Sequence, residues 1–172
     1  MPEEKKGLFN LFILLLFFEW IIPVNMMAQS EKYYEFIDNL YQYTVPIIKA
    51  DSIINIDNYI VLDAREKREF DVSHLPGAIW VGYEDFSLDK VDNISHSSPI
   101  LIYCSVGYRS ERIGEQLQEE GFSQVKNLYG GIFDWINLRL PVEGLDGAPT
   151  DSIHAYNKDW GFWLEQGIKV YQ

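Results

Sequence analysis

Short apolar runs that alternate with helical patterns constrain this chain more than any other feature. Tyr59-Ile60-Val61-Leu62, Ile79-Trp80-Val81 and Pro99-Ile100-Leu101-Ile102-Tyr103 are too short for helices and rich in β-branched and aromatic residues. Val125-Lys126-Asn127-Leu128 reads as a further strand, and Val45-Pro46-Ile47-Ile48 as an edge strand, because proline cannot donate to a central ladder. Between these runs, 50–54 reads as a helical turn and 66–70 as a short helix. The spacing predicts helix over 84–91 around Phe86 and Leu88, and over 111–120 with Ile113 and Leu117 facing inward and Gly121 closing it. A last helix bears Phe133, Trp135 and Ile136. Strands apolar on both faces, each followed by a helical segment, belong to the α/β class: a central, mostly parallel sheet flanked by helices on both faces. The 172 residues suffice for one such core.

In open sheets of this kind ligands bind beyond the C-terminal ends of the strands. Two chemically capable residues stand at such ends, Asp63 and Cys104. Cys104 is the only cysteine, and it opens the segment Cys104-Ser105-Val106-Gly107-Tyr108-Arg109-Ser110 between a strand and a helix. A thiol there faces the amide groups of the turn and the positive end of the helix, a setting that favours the nucleophilic thiolate. Gly107 permits left-handed backbone, and Arg109 supplies a permanent charge with several donors for an oxyanion. Ser105 and Ser110 offer hydroxyl donors.

The same composition narrows the partners. With 14 basic and 26 acidic residues the net charge is −12, which argues against nucleic acid, since phosphate binding needs a basic face. One cysteine and three scattered histidines give neither an internal disulfide nor a metal-ligand pattern, so no metal or cofactor is expected.

The N-terminus has the order of an export signal. Lys5 and Lys6 precede the apolar stretch Leu8 to Phe18, and cleavage is expected after Ala28. Residues 1–28 are thus read as a signal peptide and the protein as exported, periplasmic or extracellular. An uncleaved anchor over residues 8–24 is the alternative, and the only route to a membrane. Residues 29–43 form a helical extension with Tyr33, Phe36, Ile37, Leu40 and Tyr41 at helical spacing. The main domain covers 44–143. Residues 144–172 carry Tyr156, Trp160, Phe162, Trp163 and Tyr171, too apolar for a free tail, and are expected to pack back on the domain.

Three segments carry a family resemblance. Val61 to Glu66 with Glu69-Phe70 and His74-Leu75-Pro76-Gly77-Ala78 resembles the first signature of rhodanese-like domains. Cys104 to Arg109 is similar to their active-site loop, C-x-x-G-x-R. Leu128-Tyr129-Gly130-Gly131, Trp135 and Pro141-Val142-Glu143 resemble their closing motif. The match covers about residues 44–143, with Ser73 where the family usually has glycine. The resemblance implies the rhodanese-like fold and a sulfurtransferase. Cys104 would take a sulfane sulfur from a small anion such as thiosulfate, hold it as a persulfide, and pass it to a thiol or to cyanide. Ser105, Val106, Gly107, Tyr108 and Arg109 would bind the substrate, with Asp63, Arg65 and Ser110 in support.

Loop length separates two chemistries. Cysteine phosphatases of this fold resemble C-x₅-R, whereas only four residues lie between Cys104 and Arg109. The smaller ring suits a sulfur atom better than a phosphate, and no general acid is evident beside it. Three other functions remain: a persulfide carrier or interaction module with little turnover, an oxyanion (arsenate) reductase, and a phosphatase. Plainer roles are expected for several side chains. Asp63 and Arg65 pair with neighbouring charges, and Glu66, Arg68 and Glu69 form a solvated helix face. Arg112 is a surface charge, His74 bonds backbone near its turn, His154 packs or faces solvent, and the aromatics from Trp160 to Trp163 cover the core.

Overall fold

The computed structural model describes residues 31–171. The proposed leader, its alternative reading as an anchor, and the first two residues of the extension lie outside that range. The described residues up to Asn39 and those from Leu40 onward belong to two separate units. In the first, helix α1 covers 31–38. It is shorter than the sequence pattern predicts. In the second unit, the N–H groups of Gln42 and Thr44 donate to the Glu111 carboxylate, each at 3.0 Å, in place of helix carbonyls. The side chain of Tyr41 is likewise engaged elsewhere, as described below.

The second unit is built on a five-stranded sheet in the order β1-β5-β4-β2-β3, with every pairing parallel. The strands are β1 (Ile47–Ile48), β2 (Ile60–Asp63), β3 (Ile79–Trp80), β4 (Ile100–Tyr103) and β5 (Val125–Leu128). Helices α2 (Lys67–Val72), α3 (Tyr108–Glu119) and α4 (Gly131–Asn137) connect and cover them. The C-terminal segment adds β6 (Val142–Glu143) paired with β7 (Pro149–Thr150), β8 (Ser152–His154) paired with β9 (Ile168–Val170), and the single turn α5 (Lys158–Gly161). β8 packs against α2, so the segment folds back onto the domain. Helix is absent over most of 84–91, where only a 3₁₀ turn, Leu88–Lys90, forms. Lys90 there reaches back to β3, donating to the Val81 carbonyl at 2.8 Å with its ammonium 3.8 Å from the Trp80 ring centre.

Strand β4 is central, and all four of its residues are buried. Its alternation explains the two faces. Ile100, Ile102 and, just past the strand, Cys104 share one core with Leu62, Ala64, Ile113, Leu117 and Val125. Ile113 and Leu117, one helical turn apart, are the α3 contribution. Truncating a fully buried leucine such as Leu117 to alanine removes roughly 2–5 kcal/mol.

The opposite parity carries polar groups. The register places Asp63 beside Tyr103, and Tyr103 donates to Asp63 Oδ2 at 2.5 Å. Arg65 chelates the same carboxylate through Nε at 3.0 and 3.1 Å and Nη2 at 2.7 Å. Its Nη2 also reaches the Ser73 carbonyl at 2.6 Å, and the Leu75 N–H donates to the Tyr103 hydroxyl at 3.1 Å. Burial works against the charged guanidinium, but the Asp63 charge outweighs it and pushes Arg65 up. Burial and the Asp63 charge likewise push the Tyr103 phenol up. Both Asp63 and Arg65 are wholly buried, so removing one strands the other. Arg65→Met is expected to cost about 3–5 kcal/mol in urea denaturation, with Asp63→Asn added to Arg65→Met recovering part of the loss.

Candidate active site

The chain leaves β4 at Tyr103 and turns at once into α3, so Cys104 sits at the C-terminal edge of the central strand. The turn is tight because Gly107, the residue before α3, adopts φ 101°. That curl brings the Gly107 N–H to 3.1 Å from Cys104 Sγ, to which it donates. A side chain at 107 would also collide with the Tyr41 hydroxyl, 1.6 Å from an added Cβ. The Tyr41 hydroxyl holds the loop from outside: it donates to the Val106 carbonyl at 2.7 Å and accepts from the Gly130 N–H at 3.0 Å.

Two more contacts set the loop's polarity. The Ile132 N–H donates to the Cys104 carbonyl at 2.9 Å, and the Phe133 N–H to the Ser105 carbonyl at 3.1 Å. The first turn of α4 thus takes up the loop's carbonyls. Gly131 makes this approach possible, since a Cβ there would lie 2.4 Å from the Cys104 carbonyl oxygen. Asn127 donates to the Gly107 carbonyl at 2.9 Å and accepts from Ser110 Oγ at 2.7 Å. Ser110 therefore braces the loop through β5 and its hydroxyl is not turned to a substrate.

Arg109 is not a free cation. Its guanidinium grips Glu69 with Nη1 at 2.8 Å and Nη2 at 2.9 Å, and Nη2 also donates to Ser105 Oγ at 3.0 Å. Ser105 Oγ in turn donates to Glu69 Oε1 at 2.9 Å. Glu66 stands 3.8 Å from the same guanidinium. Glu69 is wholly buried, which corrects the reading of a solvated helix face. Its position follows from a capping box, in which the Glu69 side chain accepts the Glu66 N–H and fixes the carboxylate at the start of α2. Burial would raise the Glu69 carboxyl, but the Arg109 hydrogen bonds and charge, joined by Arg65, bring it down to about 2. In return Glu69 and the Cys104 charge overcome burial and push Arg109 up.

The mouth above Cys104 is a cavity of about 220 Å³ lined by Cys104, Ser105, Val106, Tyr108, Arg109, Tyr156 and Trp160. The first five are among the six loop residues singled out in the sequence; Gly107 is outside the lining. Asp63 and Arg65 lie outside this lining and serve the buried knot at the strand ends. Tyr156 and Trp160 escaped sequence reasoning, because aromatics distant in sequence carry no sign of which edge they will cover. His154, read as packing or solvent-facing, is wholly buried in β8, and its Nδ1 accepts the Tyr156 N–H at 3.1 Å. His74 Nδ1 lies 3.1 Å from the Phe70 carbonyl and the ring stacks on Phe70. Arg112 pairs with Glu111 and Glu115, each at 2.8 Å.

A carboxyl held below its unfolded value adds stability that is complete above the unfolded pKa and disappears as pH falls through the folded one. The Glu69 contribution is therefore expected to be full above pH ~5 and lost toward pH ~2. Glu69→Gln should flatten the stability profile in that window, as read by chemical denaturation at a series of pH values. Tyr41→Phe strands the Val106 carbonyl and the Gly130 N–H, and should cost about 1–3 kcal/mol by the same measurement.

Comparison with known proteins agrees with this geometry. The sequence profile of the rhodanese-like domain matches residues 49–138. An adenylyltransferase and sulfurtransferase UBA4 of Meyerozyma guilliermondii is 28% identical over 120 residues, 66% of this chain and 25% of that protein. A tRNA uridine(34) hydroxylase of Bacillus cereus is 35% identical over 81 residues, 44% of this chain and 25% of that protein. The chain thus spans about a quarter of the length of these curated relatives. Among solved structures, the BH2092 protein of Bacillus halodurans superposes with a TM-score of 0.53 at 26% identity, over 67% of this chain and 85% of that one. A thiosulfate sulfurtransferase of Pseudomonas aeruginosa shares the fold with a TM-score of 0.54 at 20% identity, over 67% of this chain and 23% of that one. A parallel five-stranded sheet, a cysteine loop at the end of its central strand and a matching profile over more than half the chain establish that this protein belongs to the rhodanese-like domain family.

Proposed function

We propose that this protein is a sulfurtransferase that works through a persulfide on Cys104. The observation that carries the reading is the 3.1 Å contact from the Gly107 N–H to Cys104 Sγ, at the N-terminus of α3 and inside a loop with only four residues between Cys104 and Arg109. An amide donor and a helix N-terminus both favour a negatively charged sulfur over a neutral one. The sulfurtransferase named among the relatives supports the same class.

The chemistry is two displacements without net oxidation. The Cys104 thiolate attacks the outer sulfur of the donor. A sulfur–sulfur bond to Cys104 forms, the donor's bond to that sulfur breaks, and the electron pair leaves with the donor remnant, sulfite when thiosulfate is used. An acceptor, a thiolate or cyanide, then attacks the terminal sulfur and the Cys104 thiolate is restored. Arg109 and Ser105, tied to Glu69, keep the loop in shape while its charge changes.

A carrier with little turnover is the second reading, favoured by one observation: the loop's cation is already paired with Glu69. Intact mass after incubation with sulfur donors, beside turnover to cyanide, separates the two. A gain of one sulfur that vanishes in Cys104→Ala, with turnover, is the expected result. The same gain without turnover would identify a carrier. No gain from any donor would overturn the persulfide reading.

A further inference from the structure

Two of the seven residues around the Cys104 mouth, Tyr156 and Trp160, come from the C-terminal segment rather than from the sheet or its loops. Both are set by specific backbone contacts. Tyr156 takes left-handed backbone, φ 62°, which is costly for a bulky residue. It is held there by its N–H bond to the buried His154 ring. Trp160 stands in α5, whose first turn is capped by Asn157 accepting the Trp160 N–H at 3.0 Å. α5 itself is pressed against the segment at Gly161, where a Cβ would come within 2.7 Å of the Tyr171 hydroxyl. Backbone strain of this kind persists where the surroundings over-determine it, and such places cluster at ligand clamps.

The electrostatics point the same way. The Arg109 guanidinium lies 5.6 Å from the Tyr156 ring centre, and its charge is matched by Glu69, with Glu66 close by. A small dianion entering this mouth meets two aromatic side chains and a cation already paired with a carboxylate. An apolar group meets surfaces that gain from covering it. The space is of the right order: an apolar cavity of about 150 Å³ admits benzene, and this one measures about 220 Å³.

We propose that Tyr156 and Trp160 form a specificity wall that selects sulfur donors whose leaving group carries an apolar body and at most one negative charge, in preference to thiosulfate. The proposal rests on the persulfide reading above and deepens it. In the transfer, Cys104 attacks the terminal sulfur of R–SO₂–S⁻ or R–S–SH. The new sulfur–sulfur bond forms on Cys104, and the old bond's electron pair departs with the sulfinate R–SO₂⁻ or the thiolate R–S⁻. The R group rests against the Tyr156 and Trp160 side chains that line the mouth.

The test uses the full chain and three donors that share the transferred sulfur: benzenethiosulfonate, methanethiosulfonate and thiosulfate. The second-order rate of Cys104 persulfide formation is read by quenched intact mass. Benzenethiosulfonate is expected to load about tenfold faster than methanethiosulfonate, as one well-packed ring contact implies, with thiosulfate slowest. Tyr156→Ala and Trp160→Ala should each shrink the benzene-to-methane ratio several-fold, and Trp160→Phe should restore most of it. Equal rates for all three donors on the unaltered chain would overturn the wall while leaving the persulfide chemistry intact. A ratio unchanged in both alanine variants would do the same. Failure of every donor to load Cys104 would overturn both.

Discussion

One buried carboxylate organises the reactive end of this molecule. Glu69 holds Arg109 in a two-pronged grip and accepts the Ser105 hydroxyl, so a single side chain on α2 fixes the first residue of the four-residue spacer and the arginine that follows it. The carboxylate is itself fixed by a capping box at the start of its helix. A desolvated acid and base at this distance are stable only as a pair, because either alone would be an uncompensated buried charge. That pair anchors the loop on one side, while Tyr41 and Asn127 hold it on the others.

A second pair does comparable work behind the site. Asp63, Arg65 and Tyr103 join the ends of β2 and β4 to the turn at Ser73–Leu75. The two knots have a division of labour. Glu69 with Arg109 shapes the surface presented to substrate, while Asp63 with Arg65 keeps the strand ends together beneath it. Each cation is matched by a carboxylate, so the positive potential at the sulfur comes from the Gly107 amide and the start of α3.

The alternation of strands with helices, the Cys104 loop and a structural, charge-paired role for Asp63 and Arg65 were legible because each is written in contiguous sequence. Apolar runs of four or five residues have few alternatives to a buried strand, and glycine three residues past a cysteine announces a turn. Glu69 was not legible. Its neighbours Glu66, Arg68 and Asp71 give it the look of a solvated face, and only its partner forty positions away reveals otherwise. The helix read over 84–91 failed for a related reason. Lys90, polar in the pattern, is recruited by the Val81 carbonyl and the Trp80 ring, and local propensity yields to that contact. Tyr156 and Trp160 could be recognised as apolar, but not as part of the mouth.

The two carbonyls of the loop that dock on α4 have a consequence for what this scaffold can become. The Cys104 and Ser105 carbonyls are each matched to one N–H of α4's first turn, across a gap that only Gly131 leaves open. A residue inserted between Cys104 and Ser105 would shift that register and strand a buried amide. The first two residues of the loop are thus pinned from the next helix along, and a wider ring, as a larger tetrahedral anion would require, has room for its extra residue only after Ser105.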